Sequence, residues 1–163
     1  MTKFYLDTSA IVKRYVAERG SETIDYIYGK AEVGQLTIAF SLWNIGELLG
    51  VFDANRRRKW LTEKEFRNAI AYFDEDTAKL ARLKTIEIIP VTSKIMTEAW
   101  DRLLTYQIYQ SDALQMVSCI ESKCEALVTA DQRLVKACQK AKLVTFDIEN
   151  KEEELVDSID VHG

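Results

Sequence analysis

Short apolar runs alternate with longer stretches of helical periodicity along this chain. Residues 3–6 read as a buried strand, and a helix is expected over about 8–18. Gly20 and Ser21 restart a second helix, which runs to about Val33 and is ended by Gly34. Residues 37–40 read as a strand. Ser41 then caps a helix through Ala54 with Leu42, Ile45, Leu49 and Phe52 on its apolar face. Thr62-x-x-Glu65 is a capping box that opens a long helix carrying Phe66, Ala69, Ile70 and Phe73. The next strand is 86–91, where Pro90 predicts an edge position or a strand end. Ser93 opens a helix with Met96, Ala99, Trp100 and Leu103 inward, and Asp112 starts another with Leu114, Val117 and Ile120. A strand over 126–129, a helix over about 131–141 and a strand over 143–146 complete the pattern.

Strands alternating with helices predict an α/β fold with a mainly parallel sheet. Strands that are apolar throughout are expected where helices cover both faces. Sites in such sheets lie beyond the carboxyl ends of the strands. Asp7 and Asp131 stand at two of those ends, each beside a helix N-terminus whose dipole favours negative charge.

At 163 residues the chain is long enough for one domain with a real core. No apolar stretch approaches the ~18 residues of a membrane span. The N-terminus shows no secretory signal pattern, so a cytoplasmic protein is expected. Three cysteines, Cys119, Cys124 and Cys138, fit neither a disulfide framework nor a zinc site and read as small core thiols. His162 is the only histidine, which excludes a histidine general base and a histidine-based triad. Net charge is −4. However, seven of the 26 acids and one of the 22 bases fall in residues 147–163, so residues 1–146 carry +2. That division also predicts the organisation: a body over 1–146 and an acidic C-terminal tail over 147–163. A mildly basic body around an acidic pocket suits a polyanionic ligand.

Four acids carry the candidate chemistry. Singly, each has an ordinary explanation. Asp7 and Asp131 could be N-caps, Asp112 a first-turn acid, and Glu47 a rim position on its helix. Together they ask for more. Like charges converging on one dry spot raise each other's pKa unless a cation neutralises them. If the four meet in space, a divalent cation is the simplest reason.

The local strings are Tyr5-Leu6-Asp7-Thr8-Ser9, Asn44-x-x-Glu47, Ser111-Asp112-Ala113-Leu114-Gln115 and Thr129-Ala130-Asp131-x-x-Leu134. In this order and these contexts they resemble the PIN domain family, closest to the toxin ribonucleases of VapBC-type toxin–antitoxin pairs. The resemblance runs from residue 3 to about 146. It departs over 55–85, which are longer and more charged than the compact toxin pattern, and in the added acidic tail. It implies a three-layer α/β/α fold with a parallel sheet of about five strands in the order 3-2-1-4-5. It implies a Mg²⁺- or Mn²⁺-dependent ribonuclease with Asp7, Glu47, Asp112 and Asp131 as its acidic metal site. Ser9, Thr129 and Asn44 match positions that orient those acids. A small antitoxin partner and a homodimer are also implied. Oxygen ligands suit these hard cations, and a metal-bound water can attack phosphorus without any histidine. Whether Glu47 binds metal or orients the water stays open.

Arg56, Arg57, Arg58, Lys59 and Trp60 form the one strong charge cluster. It is either a solvated helix end or a contact to RNA phosphates with Trp60 stacking on a base. Trp43, Trp100, Tyr106 and Tyr109 read as core or interface residues rather than as base-stacking platforms. The acidic tail reads as solvated, although Leu155, Val156 and Ile159 hint at a short amphipathic element able to dock. The competing functions are a PIN nuclease of RNA processing or quality control without an antitoxin, and a non-catalytic scaffold that binds RNA or protein. A haloacid-dehalogenase-type phosphatase needs a second Asp where Ser9 stands. A receiver domain needs an Asp after a central strand, and Pro90-Val91-Thr92 offers none.

Overall fold

Alternation along three strands decides how this fold is layered. In a computed structural model describing residues 2–162 (side chains to 160), β1 is Thr2–Leu6, β2 Leu36–Ser41, β3 Ile86–Ile89, β4 Ala126–Thr129 and β5 Thr145–Asp147. They form one parallel sheet in the order β3-β2-β1-β4-β5. Phe4 and Leu6, Ile38 and Phe40, and Ala126 and Val128 point into one core. Tyr5, Ala39 and Leu127, between them, point into the other. Side chains of successive strand residues face opposite ways, so each strand serves two cores and must be apolar on both sides.

The first core is covered by α1 (Thr8–Ile11), α2 (Ser21–Glu32), α3 (Leu42–Arg57), α4 (Glu63–Leu83) and α8 (Glu152–His162). The second is covered by α5 (Ser93–Tyr106), α6 (Gln110–Glu121) and α7 (Gln132–Lys140). This is the expected three-layer α/β/α arrangement with the expected strand order. Pro90 follows directly on β3, an edge strand, so both readings of that proline hold.

Several boundaries differ from the sequence pattern: β3 ends at Ile89 rather than 91, α3 runs on to Arg57 and α6 starts at Gln110, and three larger differences have a physical reason. The first helix is only α1 plus a 3-10 turn, Val12–Arg14, and does not reach Glu18. The Ser21 hydroxyl donates to the Lys13 carbonyl, at 2.7 Å, and so takes an acceptor that a continuing helix would use. The last strand starts at Thr145, two residues later than expected. Lys142 adopts a left-handed conformation, and the Leu143 N–H bonds back to the Cys138 carbonyl at 2.9 Å. Leu143 thus closes the end of α7 rather than entering the sheet.

The third difference is the acidic segment. The sheet continues to Asp147, Ile148 is fully buried, and α8 buries Leu155 and Ile159 in the first core. The docked alternative is therefore the observed one. Buried Lys13 ties the segment down, pairing with Glu149 at 2.7 Å and Glu18 at 3.0 Å. Burial alone would lower the Lys13 ammonium pKa, but these two acids hold it above its usual value. Asp160 pairs with Lys30 at 3.1 Å and accepts from Tyr26. These ion pairs of the segment go to Lys13 and Lys30, away from the arginine run. His162 ends α8, and its side chain lies outside the described residues. Among the described residues no helix is long and apolar enough to cross a membrane.

Candidate active site

The parallel sheet ends its central strands β1 and β4 side by side, and the crevice beyond them holds the acids. Asp7 follows β1 immediately and caps α1. Asp131 lies two residues past β4 and caps α7, accepting from the Arg133 N–H at 2.8 Å. Asp112 sits in the first turn of α6, and Glu47 lies on α3. All four line one cavity of about 650 Å³.

Asp7 is 3% exposed. Its Oδ1 accepts from Ser9 Oγ at 2.7 Å and from the Ala10 N–H at 2.8 Å, and its Oδ2 accepts from Thr129 Oγ1 at 2.6 Å. Thr129 Oγ1 in turn accepts from the Asp131 N–H at 2.9 Å, and Ser9 Oγ accepts from the Ala130 N–H at 2.9 Å. The two hydroxyls thereby lock the β1 and β4 ends together. Burial pushes the Asp7 carboxyl from 3.8 up to about 7, and Asp131 adds to that. The bonds from Thr129, Ser9 and Ala10 pull the other way without cancelling it.

Glu47 is held differently. Its Oε2 accepts from Thr8 Oγ1 at 2.6 Å and from Gln115 Nε2 at 3.4 Å. Fully buried Asn44 organises both donors. Its amide donates to Thr8 Oγ1 at 3.0 Å and to Gln115 Oε1 at 2.8 Å. Asn44 Oδ1 accepts from Tyr5 OH at 2.7 Å, from the Ser41 N–H at 2.8 Å and from Ser41 Oγ at 2.9 Å. The α3 capping box and the Glu47 support are one network, which rests on β1, α1 and α6.

Asp112 stands between the two halves. Its Oδ2 is buried without a hydrogen-bond partner among the described residues. Burial raises this carboxyl from 3.8 to about 6; Asp131 and Glu47 raise it and Arg133 lowers it. A buried carboxylate oxygen without a donor is costly, and a cation satisfies it. Among the described residues, no three acidic, histidine or cysteine side chains stand close enough to enclose an ion unaided. Mg²⁺ does not need such a cage, because one or two carboxylates with water and substrate phosphate suffice. The all-oxygen donor set fits Mg²⁺ or Mn²⁺.

The structure therefore brings together Asp7, Glu47, Asp112 and Asp131, with Ser9, Thr129 and Asn44 behind them. It separates the basic run. Only Arg58 reaches the cavity wall, its guanidinium 5.0 Å from the Trp60 ring centroid. Arg56 pairs with Asp53 and Glu63, both at 2.7 Å, and Arg57 pairs with Asp53 at 2.9 Å. Lys59 lies outside the cavity lining, in the turn after α3. The sequence pattern gives no role to Thr8, Gln115 or Arg133 and reads Tyr109 as a core or interface residue. Tyr109 is 62% exposed on the cavity wall, not buried in the core, and Arg133 lies 4.8 Å from its ring centroid. The spacing Asp131-x-Arg133, a cation in the first turn of a helix, was the available signal.

The PIN domain family model matches residues 4–140. No curated protein matches the chain in sequence. Among solved structures it is similar to VapC20 of Mycobacterium tuberculosis, described as a Sarcin-Ricin loop cleaving toxin, at 16% identity and a TM-score of 0.59, covering 82% of this chain and 94% of that one. It is similar to FitAcB of Neisseria gonorrhoeae at 15% identity and a TM-score of 0.62, covering 90% and 99%. It is also similar to VapBC2 of Rickettsia felis, bound to a DNA fragment from its promoter, at 17% identity and a TM-score of 0.55, covering 89% and 98%.

Proposed function

We propose, because this chain belongs to the PIN domain family, that its acidic pocket is the active centre of a divalent-metal-dependent endoribonuclease. The observation that carries the reading is Asp112 Oδ2, buried without a donor among the described residues in a cavity lined by three further acids. The likeness to a toxin that cleaves the Sarcin-Ricin loop supports RNA as substrate and a toxin role. The likeness to VapBC2 supports a small antitoxin as partner. A homodimer and a cytoplasmic setting belong to the same reading, with residues 1–146 as the nuclease unit and 147–163 as its acidic extension.

Asp7, Asp112 and Asp131 would hold Mg²⁺ or Mn²⁺, directly or through water. When bound, the ion acidifies a water and neutralises charge on the phosphate oxygens. Ser9 and Thr129 fix the Asp7 carboxylate, so neither oxygen can swing away. Thr8 and Gln115 both donate to Glu47 Oε2, which leaves Oε1 to bind the ion or to take a proton from the attacking water. Asn44 keeps both donors in place.

The test is cleavage of total and transfer RNA with Mg²⁺ or Mn²⁺ and with a chelator. Metal-dependent cleavage that disappears in Asp7→Asn supports the assignment. Undiminished cleavage by that variant sinks it.

A further inference from the structure

A second cavity, of about 400 Å³, adjoins the acidic one and shares Tyr109, Asp112 and Arg133 with it. Its far wall carries Lys136 and Lys140. Arg133, Lys136 and Lys140 are spaced to share one face of α7, while Leu134, Val135 and Cys138 are buried. Helix stability does not explain this face. A cation suits the last turn, which accounts for Lys140. Arg133, in the first turn, opposes the helix dipole, and Lys136 stands a turn before the end. Among the described residues neither Lys136 nor Lys140 makes an ion pair or a side-chain hydrogen bond, in contrast to Arg56 and Arg57. Exposed Tyr109 stands at the junction of the two cavities with the Arg133 guanidinium against its ring.

We propose that this face is the track along which single-stranded RNA leaves the acidic pocket, with a base on Tyr109 and backbone phosphates on Lys136 and Lys140. The proposal rests on the nuclease reading and names where the substrate lies. Cations without partners beside an exposed aromatic are the chemistry that holds a single strand without reading its sequence. Arg133 marks the start of the track and Lys140 its end. Seven residues of helix span about 10 Å. A stacked strand crosses that in about three nucleotides at roughly 3.4 Å each. The track on α7 adds to Arg58, the one residue of the arginine run on the acidic cavity's wall, while Arg56 and Arg57 are held by Asp53 and Glu63.

The test uses the full chain as Asp7→Asn, which binds without cutting, with Mg²⁺ and a labelled single-stranded oligoribonucleotide over a KCl series. Adding Lys136→Ala and Lys140→Ala lowers the slope of log affinity against log salt by about 1.4, roughly 0.7 per lost single-strand contact. Lys136→Arg with Lys140→Arg keeps the slope. Tyr109→Ala weakens binding about 5-fold or more with the slope retained. In the cleaving chain, the ratio of wild-type to lysine-variant kcat/KM falls when the substrate is shortened by about three nucleotides on one side. An unchanged slope in the double alanine variant overturns the track. A wild-type chain that binds RNA with the expected slope changes but does not cut it overturns the nuclease reading and leaves the track standing. Absence of RNA binding overturns both.

Discussion

Replacing Asp7 with Asn should remove cleavage and at the same time stabilise the chelator-treated protein. The folded Asp7 carboxyl is raised from 3.8 to about 7, chiefly by burial. Between those values the folded state holds a proton that the unfolded state has released. Stability from this group is therefore fully present below about pH 4, is lost as pH rises toward 7, and stays lost above. A shift of roughly 3 units corresponds to at most roughly 4 kcal/mol at pH 7.5. Asn cannot ionise, so it escapes that penalty. It also loses something. The carboxylate accepts from Ser9, Ala10 and Thr129, and an amide in its place can keep the first two while the Thr129 hydroxyl must find another acceptor. One such loss costs about 1 kcal/mol. The net gain is then about 1–3 kcal/mol, or several degrees in Tm for a chain of this size. Urea unfolding of both proteins in chelator at pH 4, 6 and 7.5 measures it. The gap should be near zero at pH 4 and widen as pH rises. A variant no more stable than wild type at pH 7.5, or a gap independent of pH, would refute the reasoning.

Three further outcomes follow from the same contacts. Thr129→Val removes the hydroxyl that joins Asp7 to the Asp131 N–H, and should raise the Mg²⁺ concentration for half-maximal cleavage about 10- to 100-fold. Asn44→Ala leaves the buried donors of Tyr5 and Ser41 without their acceptor and should cost about 3 kcal/mol or more in urea unfolding. Leu155→Ala, at a fully buried position of α8, should cost about 2–5 kcal/mol by the same assay, whereas a solvated tail would register almost nothing.

Much of the fold is legible because the strands are apolar on both faces and the helix caps are local signals. Ser41, Thr62 and Gly34 mark ends through their immediate neighbours, and such signals survive without tertiary information. Asp7 and Asp131 are legible for a related reason: each follows an apolar run, where chain direction alone places it at the crevice. Asn44 shows where legibility stops. Its role depends on Tyr5, Thr8 and Gln115, which reach it from three other elements. Leu143 and Val144 look like strand residues, but a left-handed Lys142 turns Leu143 back onto α7. The arginine run is conspicuous in sequence, yet Asp53 and Glu63 occupy much of its charge. Lys136 and Lys140 are inconspicuous because helical spacing hides a shared face. The acidic tail misleads by composition, since its charge is on one side and Leu155 and Ile159 on the other.

Asp112 carries the central claim, because its buried Oδ2 has no donor among the described residues. Calorimetric titration of Mn²⁺ into the wild-type chain and into Asp112→Asn tests that claim without RNA. Saturable binding by the wild type, lost or weakened at least about 10-fold in the variant, is the expected result. Identical isotherms for the two proteins would contradict it.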